Sequence, residues 1–111
     1  MSNVIISFAR TPIGSFLGSL STVSAPKLGA VAIKGTFDRA KIDKSLINQV
    51  IMGNVLTAGV GQAPARQASI YAGLSNNVDC LTINKMCGSG LQAIMLADYI
   101  IKNNPDKIII A

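Results

Sequence analysis

The chain has 111 residues, 50% of them apolar and only 14% charged, with a net charge of +5. This length has room for one small domain, and ordinary domains carry about 25% charged residues, so we expect further protein to cover part of the surface. Aromatics make up 5%, and the basic residues are scattered, which argues against a nucleic-acid interface with a clustered basic face. A mild positive field favours a substrate that bears phosphate.

The two cysteines and the first residues indicate a compartment. Cys80 and Cys87 have neither the spacing of a metal site nor that of a disulfide framework, which favours a reducing environment. The segment 1–3 leads directly into an apolar run without the basic region of a signal peptide. No apolar run reaches the roughly 20 residues of a membrane helix. We therefore expect a cytoplasmic protein that binds no metal, no membrane and no nucleic acid.

Strand-like and helix-like segments alternate along the chain, which predicts an α/β fold with a parallel sheet. The apolar run Val4–Ala9 predicts a buried first strand, and a loop rich in glycine and proline follows over 10–21. Ser24 and Pro26 are typical of a helix start. Charged residues then recur at helical spacing, which predicts an amphipathic outer helix with a polar face formed by Lys27, Lys34, Asp38 and Lys41.

The remaining elements continue the alternation. Val50–Val55 and Val78–Asn84 are predicted strands, and a helix begins between them at Pro64 and ends near Ala72. A third helix runs from about Gly88 to Asn103, and a fourth strand starts at Lys107. The expected order is βαβαβαβ. Because chains rarely finish inside an apolar strand, we expect residues 1–111 to be an incomplete domain of a longer protein.

The third predicted helix is unusual because its stretch Leu91–Ile101 carries apolar residues on nearly every side. A helix that is apolar all round must be buried all round. A small parallel sheet covers only one side of such a helix. We therefore expect another protein layer on the far side.

Cys87 lies where the third strand meets the third helix, after the corner residues Lys85 and Met86 and before Gly88-Ser89-Gly90. This arrangement resembles a nucleophile elbow, in which a reactive atom is presented on a tight turn between small residues. The free N–H groups and positive end of the helix stabilise a thiolate and can hold a developing oxyanion. Cys87 is therefore the candidate nucleophile.

The two cysteines and the glycines after Cys87 admit other interpretations. Most unpaired cysteines are buried and inert, and this interpretation fits Cys80, inside a strand, better than Cys87. The glycines after Cys87 lack the spacing of a phosphate-binding loop. A redox role is poorly supported because no resolving cysteine lies beside Cys87.

The segment Asn84–Ala93, Asn-Lys-Met-Cys-Gly-Ser-Gly-Leu-Gln-Ala, resembles the active-site segment of the thiolase family. Arg10–Gly14, Gly53–Val55 and Gly61–Ala68 also resemble thiolase segments, in the same order. The resemblance covers essentially the whole chain. Around Cys87 it is closer to the biosynthetic, acetoacetyl-CoA branch than to the long-chain degradative branch.

The resemblance implies the N-terminal half of an αβαβα sandwich, with the third helix in the middle layer. It implies an acyltransferase that reversibly condenses two acetyl-CoA molecules to acetoacetyl-CoA and CoA. Coenzyme A thioesters are then the substrates, and no cofactor is permanently bound. Cys87 matches the residue that carries the acetyl group, and its N–H matches one donor of an oxyanion hole. The family also implies a dimer or tetramer.

The other catalytic groups of the family have no match in this sequence. The chain has no histidine, and Cys80 does not match the second catalytic cysteine. The resemblance therefore implies an incomplete N-terminal domain that lacks the loop domain and the C-terminal domain and is inactive alone. Two alternatives stay open: an inert folding or assembly module, and a 3-ketoacyl-CoA thiolase of broader chain length. The thiolase-like segments outside Cys87 argue against a ketoacyl synthase.

Overall fold

The computed structural model describes residues 2–111 and shows an α/β fold on a three-stranded parallel sheet. The helices are α1 (Ala25–Ala40), α2 (Pro64–Tyr71) and α3 (Ser89–Asn103). The strands are β1 (Ile47–Gly53), β2 (Asp79–Ile83) and β3 (Ile108–Ile110). A 3-10 turn, Lys44–Leu46, joins α1 to β1. In residues 2–111, no helix combines the length and the apolar character needed to cross a membrane.

The strand β1 lies in the centre of the sheet, in the order β2-β1-β3. Its residue Val50 pairs with Cys80 on one side and with Ile110 on the other. Val50 and Ile51 are both fully buried and, because side chains alternate along a strand, they face opposite sides of the sheet. Each side is covered by helix, which gives three layers.

The helices α1 and α2 cover the Val50 side of the sheet. The close approach of these two helices depends on Gly29, since a β-carbon there would lie 3.2 Å from the β-carbon of Ala68. This side holds the larger apolar cluster, formed by Ala30, Ile33, Phe37, Ile47, Val50, Ala68, Ala72, Leu74 and Val78. The predicted polar face of α1 is exposed as expected.

The helix α3 covers the Ile51 side through a narrow stripe in which Ala93 and Ala97 are buried. Large side chains on its other side are exposed, namely Leu91, Ile94, Met95 and Tyr99. The sheet therefore covers only one side of this helix, as its sequence predicted.

The predicted first strand, Val4–Ala9, is wrong, because this segment pairs with no strand in the part of the chain that the structure describes. Both edges of β1 are occupied by β2 and β3, which leaves only the outer edges of the sheet for a further strand. The order over residues 2–111 is therefore αβαβαβ and not βαβαβαβ.

The segment 3–9 is instead held at two points beside α3 and α1. The Asn3 side-chain amide donates to the backbone and side-chain oxygens of Asp98, both at 2.9 Å. The Phe8 carbonyl accepts from Arg39 Nη1 at 2.9 Å. An open apolar pocket of about 900 Å³ lies between this segment, α3 and β3. Apolar side chains such as Ile5 and Phe8 are consequently exposed.

Two smaller expectations also need correction. Ser24 is the N-cap residue of α1, but its hydroxyl makes no capping hydrogen bond. The strand β1 begins at Ile47, three residues before the predicted start, because polar residues there take part in the sheet. Gln49 is buried and its Nε2 donates to Asp79 Oδ2 at 3.0 Å, while Asn48 Oδ1 accepts from Ile108 N at 2.8 Å.

Candidate functional site

Cys87 lies in the short connection between the end of β2 at Ile83 and the start of α3 at Ser89. Its thiol is free and its side chain is exposed, whereas the free thiol of Cys80 is half-buried within β2. The carboxyl edge of a parallel sheet is where such folds place their sites. The structure therefore agrees with the sequence in presenting Cys87, and not Cys80, to a ligand from solvent.

The turn before Cys87 contains an unusual backbone conformation at Met86, whose φ is +50°. A residue with a β-carbon adopts this left-handed region only where its surroundings impose it. Here Asn84 Oδ1 accepts a hydrogen bond from Met86 N at 2.9 Å. On the other side of the residue, the Met86 carbonyl accepts from Ser89 Oγ at 2.6 Å and from Ser89 N at 3.1 Å.

Ser89 makes a second contact with the turn. Its Oγ accepts from Lys85 N at 2.8 Å, and the Gly88 N–H donates to the Lys85 carbonyl at 3.0 Å. Ser89 is only 5% exposed, although it follows the exposed Cys87 by two residues. The buried hydroxyl thus links both corner residues of the turn to the first residue of α3.

Gly53, at the carboxyl end of β1, explains how α3 can start so close to the sheet. A β-carbon at Gly53 would lie 2.7 Å from Ser89 Cβ and 2.9 Å from the Ser89 carbonyl carbon, so no larger residue fits. By contrast, nothing lies within 4 Å of a β-carbon placed at Gly90. The glycine of β1 therefore serves packing, and the glycine of α3 leaves space beside the turn.

The loop that follows β1 is fixed next to the Cys87 turn. Asn54 N donates to the Ile83 carbonyl at 3.0 Å, and Asn84 Nδ2 contacts the Val55 carbonyl at 3.5 Å. Farther along, Gln67 Nε2 donates to the carbonyls of Val60 at 2.9 Å and Gln62 at 2.7 Å. Segments 53–55 and 84–93 are thus connected by a hydrogen bond, and the start of α2 is joined to β2, where Ala65 N donates to Thr82 Oγ1 at 3.0 Å.

The backbone around Cys87 offers a donor. Within residues 2–111, the N–H of Cys87 donates to no protein acceptor. It lies at the positive end of α3, where free N–H groups and the helix dipole favour negative charge. This N–H can therefore contribute to stabilising an oxyanion that develops next to Cys87 Sγ.

Proton-transfer groups are the part of the site that this chain does not supply. It contains no histidine, and Cys80 lies in the edge strand β2, where it pairs with Val50 and its Sγ is 3.5 Å from the Val78 carbonyl. The charged group in the turn is Lys85, whose Nζ donates to Gln92 Oε1 at 3.2 Å. The chain therefore provides a candidate nucleophile and a free backbone donor, without a histidine of the kind that usually activates cysteine.

Sequence reasoning selected Cys87 as the candidate nucleophile but missed the residues that hold its turn. The signals were present: Asn84 follows directly on a strand, which is typical of a side chain that caps a turn. Ser89 is a polar residue at the start of an otherwise apolar helix. Neither pattern shows which backbone atoms the side chains reach, because that depends on the left-handed conformation of Met86.

Comparison with known proteins gives a consistent result. The family model described as "Thiolase, N-terminal domain" matches residues 3–111. A probable acetyl-CoA acetyltransferase of Mycobacterium tuberculosis is 53% identical over 110 residues, which cover 99% of this chain and 28% of that protein. The acetyl-CoA acetyltransferase of Cupriavidus necator is 54% identical over 108 residues, covering 97% and 28%. The human mitochondrial acetyl-CoA acetyltransferase is 50% identical over 108 residues, covering 97% and 25%. The chain thus spans about a quarter of the length of these relatives.

Proposed function

The chain belongs to the thiolase family, which confirms the resemblance seen in its sequence, and from this premise we propose that Cys87 accepts the acyl group in a CoA-dependent acyl transfer. The observation that supports this role is the exposure of Cys87 on a turn beside a free backbone N–H at the start of α3. The complete protein is proposed to be an acetyl-CoA acetyltransferase, the name its relatives carry.

The proposed reaction has two steps. The Cys87 thiolate attacks the carbonyl carbon of acetyl-CoA, and the tetrahedral oxyanion collapses to acetyl-Cys87 with release of CoA, which takes up a proton. A second acetyl-CoA then loses a proton from its methyl group, and the resulting carbanion attacks the acetyl-Cys87 carbonyl. Acetoacetyl-CoA forms and the Cys87 thiolate leaves.

The proton transfers in these steps require groups beyond this chain. General acid–base groups each contribute about 10²- to 10⁴-fold to such reactions. We propose that they come from the remainder of the complete protein, in keeping with the small share of its relatives that this chain covers. By family analogy we also propose a dimer or tetramer. The cytoplasmic location is a separate proposal, which rests on the two free cysteines.

A quench experiment tests the nucleophile. The complete protein that carries this sequence is mixed with acetyl-CoA and quenched rapidly, and its peptides are examined by mass spectrometry. We expect an acetyl group on Cys87, its loss in Cys87→Ala, and its retention in the matched Cys80→Ala variant. Acetylation of Cys80 alone would overturn the proposal.

A second measurement tests the need for further groups. The 111-residue chain by itself is expected to show no cleavage of acetoacetyl-CoA. Cleavage above background that disappears in Cys87→Ala would show that the chain contains all the groups it needs.

A further inference from the structure

The hydroxyl of Ser89 fixes the turn that carries Cys87, and we propose that Ser89 is a positioning residue that aims the Cys87 N–H at the developing oxyanion. This role rests on the proposed function of Cys87. The first observation is that Ser89 Oγ donates to the Met86 carbonyl at 2.6 Å and accepts from Lys85 N at 2.8 Å. Both sides of the corner are thus joined through one buried oxygen.

The peptide bond between Met86 and Cys87 links the contact of Ser89 with the Met86 carbonyl to the orientation of the Cys87 N–H. That bond is trans, so its carbonyl and its N–H lie in one plane and point in opposite directions. Because Ser89 holds the Met86 carbonyl, it also sets the direction of the Cys87 N–H. The N–H points away from Ser89 and donates to no protein acceptor within residues 2–111.

The conformation of Met86 shows why such a hold is needed. A positive φ is unfavourable for a residue with a β-carbon, so the turn relaxes unless neighbouring groups fix it. Asn84 Oδ1 holds the Met86 N–H at 2.9 Å, and Ser89 holds the Met86 carbonyl. Asn84 therefore fixes the peptide group before the Met86 α-carbon, and Ser89 fixes the peptide group after it, which carries the Cys87 N–H.

The surroundings of Ser89 keep its own side chain in place. A β-carbon on Gly53 would come within 2.7 Å of Ser89 Cβ, so the end of β1 packs directly against this residue. Ser89 is only 5% exposed. The rigid central strand of the sheet thus supports the hydroxyl that orients the reactive turn.

The variant Ser89→Ala removes both hydrogen bonds of the hydroxyl and keeps the β-carbon and the 3.1 Å hydrogen bond from Ser89 N to the Met86 carbonyl. Loss of a whole oxyanion-hole donor costs about 10²- to 10³-fold in kcat. Misorientation of one donor is a smaller defect, so we expect acetylation of Cys87 by acetyl-CoA in the complete protein to slow by about 10- to 100-fold. KM should stay within about twofold, because the donor acts on charge that develops in the transition state.

A reaction without an oxyanion separates positioning from general damage to the fold. Iodoacetamide alkylates the Cys87 thiolate by displacement of iodide, and no carbonyl oxygen gains charge. We expect Ser89→Ala to alkylate at a rate within about twofold of the unaltered protein while its acetylation is slow. Equal slowing of both reactions, or no slowing of acetylation, would overturn the positioning role.

Ser69→Ala is the matched control. Ser69 is also buried, at 1% exposed, but its hydroxyl has no hydrogen-bond partner in the described part of the chain. Its removal should leave both reactions unchanged. If Ser89→Ala does not fold, Asn84→Ala, which releases the peptide group on the other side of Met86, is expected to slow acetylation selectively, and failure to do so overturns the role. Absence of any acetyl-Cys87 in the unaltered protein would instead refute the proposed function.

Discussion

On one face of the sheet, α1 and α2 bury a continuous apolar cluster with Val50, whereas on the other face α3 buries only two alanines against Ile51. Yet α3 is the more apolar helix. The difference lies in the opposite side of each helix, which is charged in α1 and apolar in α3. The share of apolar residues in a helix therefore does not measure how much of the helix is buried. The contrast between the two sides of a helix indicates whether one side faces water.

The largest expected difference between the faces comes from removing core side chains. Ile33 of α1 is 1% exposed, so Ile33→Ala should lower the free energy of unfolding by about 2–5 kcal/mol. Ile94 of α3 is 42% exposed, so only part of its side chain is packed, and Ile94→Ala should cost about 1 kcal/mol. Urea denaturation of the two variants tests the comparison. Equal losses would show that α3 is buried as well as α1.

The next largest difference is expected at two helical glycines. Gly29→Ala places a methyl group 3.2 Å from Ala68 Cβ and 3.4 Å from Met52 Cε, and this overpacking should cost about 1–3 kcal/mol. Gly90→Ala meets nothing within 4 Å and should instead gain up to about 1 kcal/mol through helix propensity. Thermal unfolding of both variants measures this contrast, and a loss of stability in Gly90→Ala would contradict it.

The same contrast explains what the sequence could and could not predict. Helix periodicity placed α1, α2 and α3 within a residue or two, because each has a helix-start signal or a clear pattern of apolar residues. The strand prediction at Val4–Ala9 failed because an apolar run indicates that a segment prefers burial, but not which strand it pairs with. Its hydrogen-bonding neighbours are set by tertiary pairing, and β3 already occupies the edge of β1.

The candidate site, like the fold, was only partly predictable from the sequence. The position of Cys87 between a strand and a helix was predictable from the sequence, and its role as nucleophile stays a prediction. The roles of Ser89 and Gly53 were not, since they depend on the close packing of elements 36 residues apart in the sequence, where a β-carbon added at Gly53 would lie 2.7 Å from Ser89 Cβ. Contacts of this kind arise from the register of β1 beside β2.

A smaller effect on stability, with a clear effect on association, is expected from the exposed side of α3. Leu91 and Met95 are 65% and 56% exposed, so replacing both with lysine should change the free energy of unfolding by only about 0.5 kcal/mol. The unaltered 111-residue chain is expected to associate through this apolar surface, because such patches drive contact between molecules. Sedimentation should show less association for Leu91→Lys/Met95→Lys. A stable monomer for the unaltered chain at micromolar concentration would contradict this expectation.

The smallest expected effect concerns the link between α3 and the N-terminal segment. Hydrogen bonds from Lys102 and Asn3 hold the pKa of Asp98 below its ordinary value of 3.8. Because the pKa is lowered in the folded chain, this contribution to stability is present above about pH 3.8 and is lost as the pH falls through the lowered value. The group is exposed, so the change is small. Asp98→Asn should therefore flatten the dependence of stability on pH in this acidic range. Its control, Asp106→Asn, replaces an exposed aspartate that makes no hydrogen bond within residues 2–111 and should leave the profile as it is.

An NMR titration of the Asn3 side-chain amide follows the hydrogen bond between Asn3 and Asp98 directly. An amide signal that does not shift as Asp98 is protonated would show that Asn3 is held by the Asp98 backbone carbonyl alone.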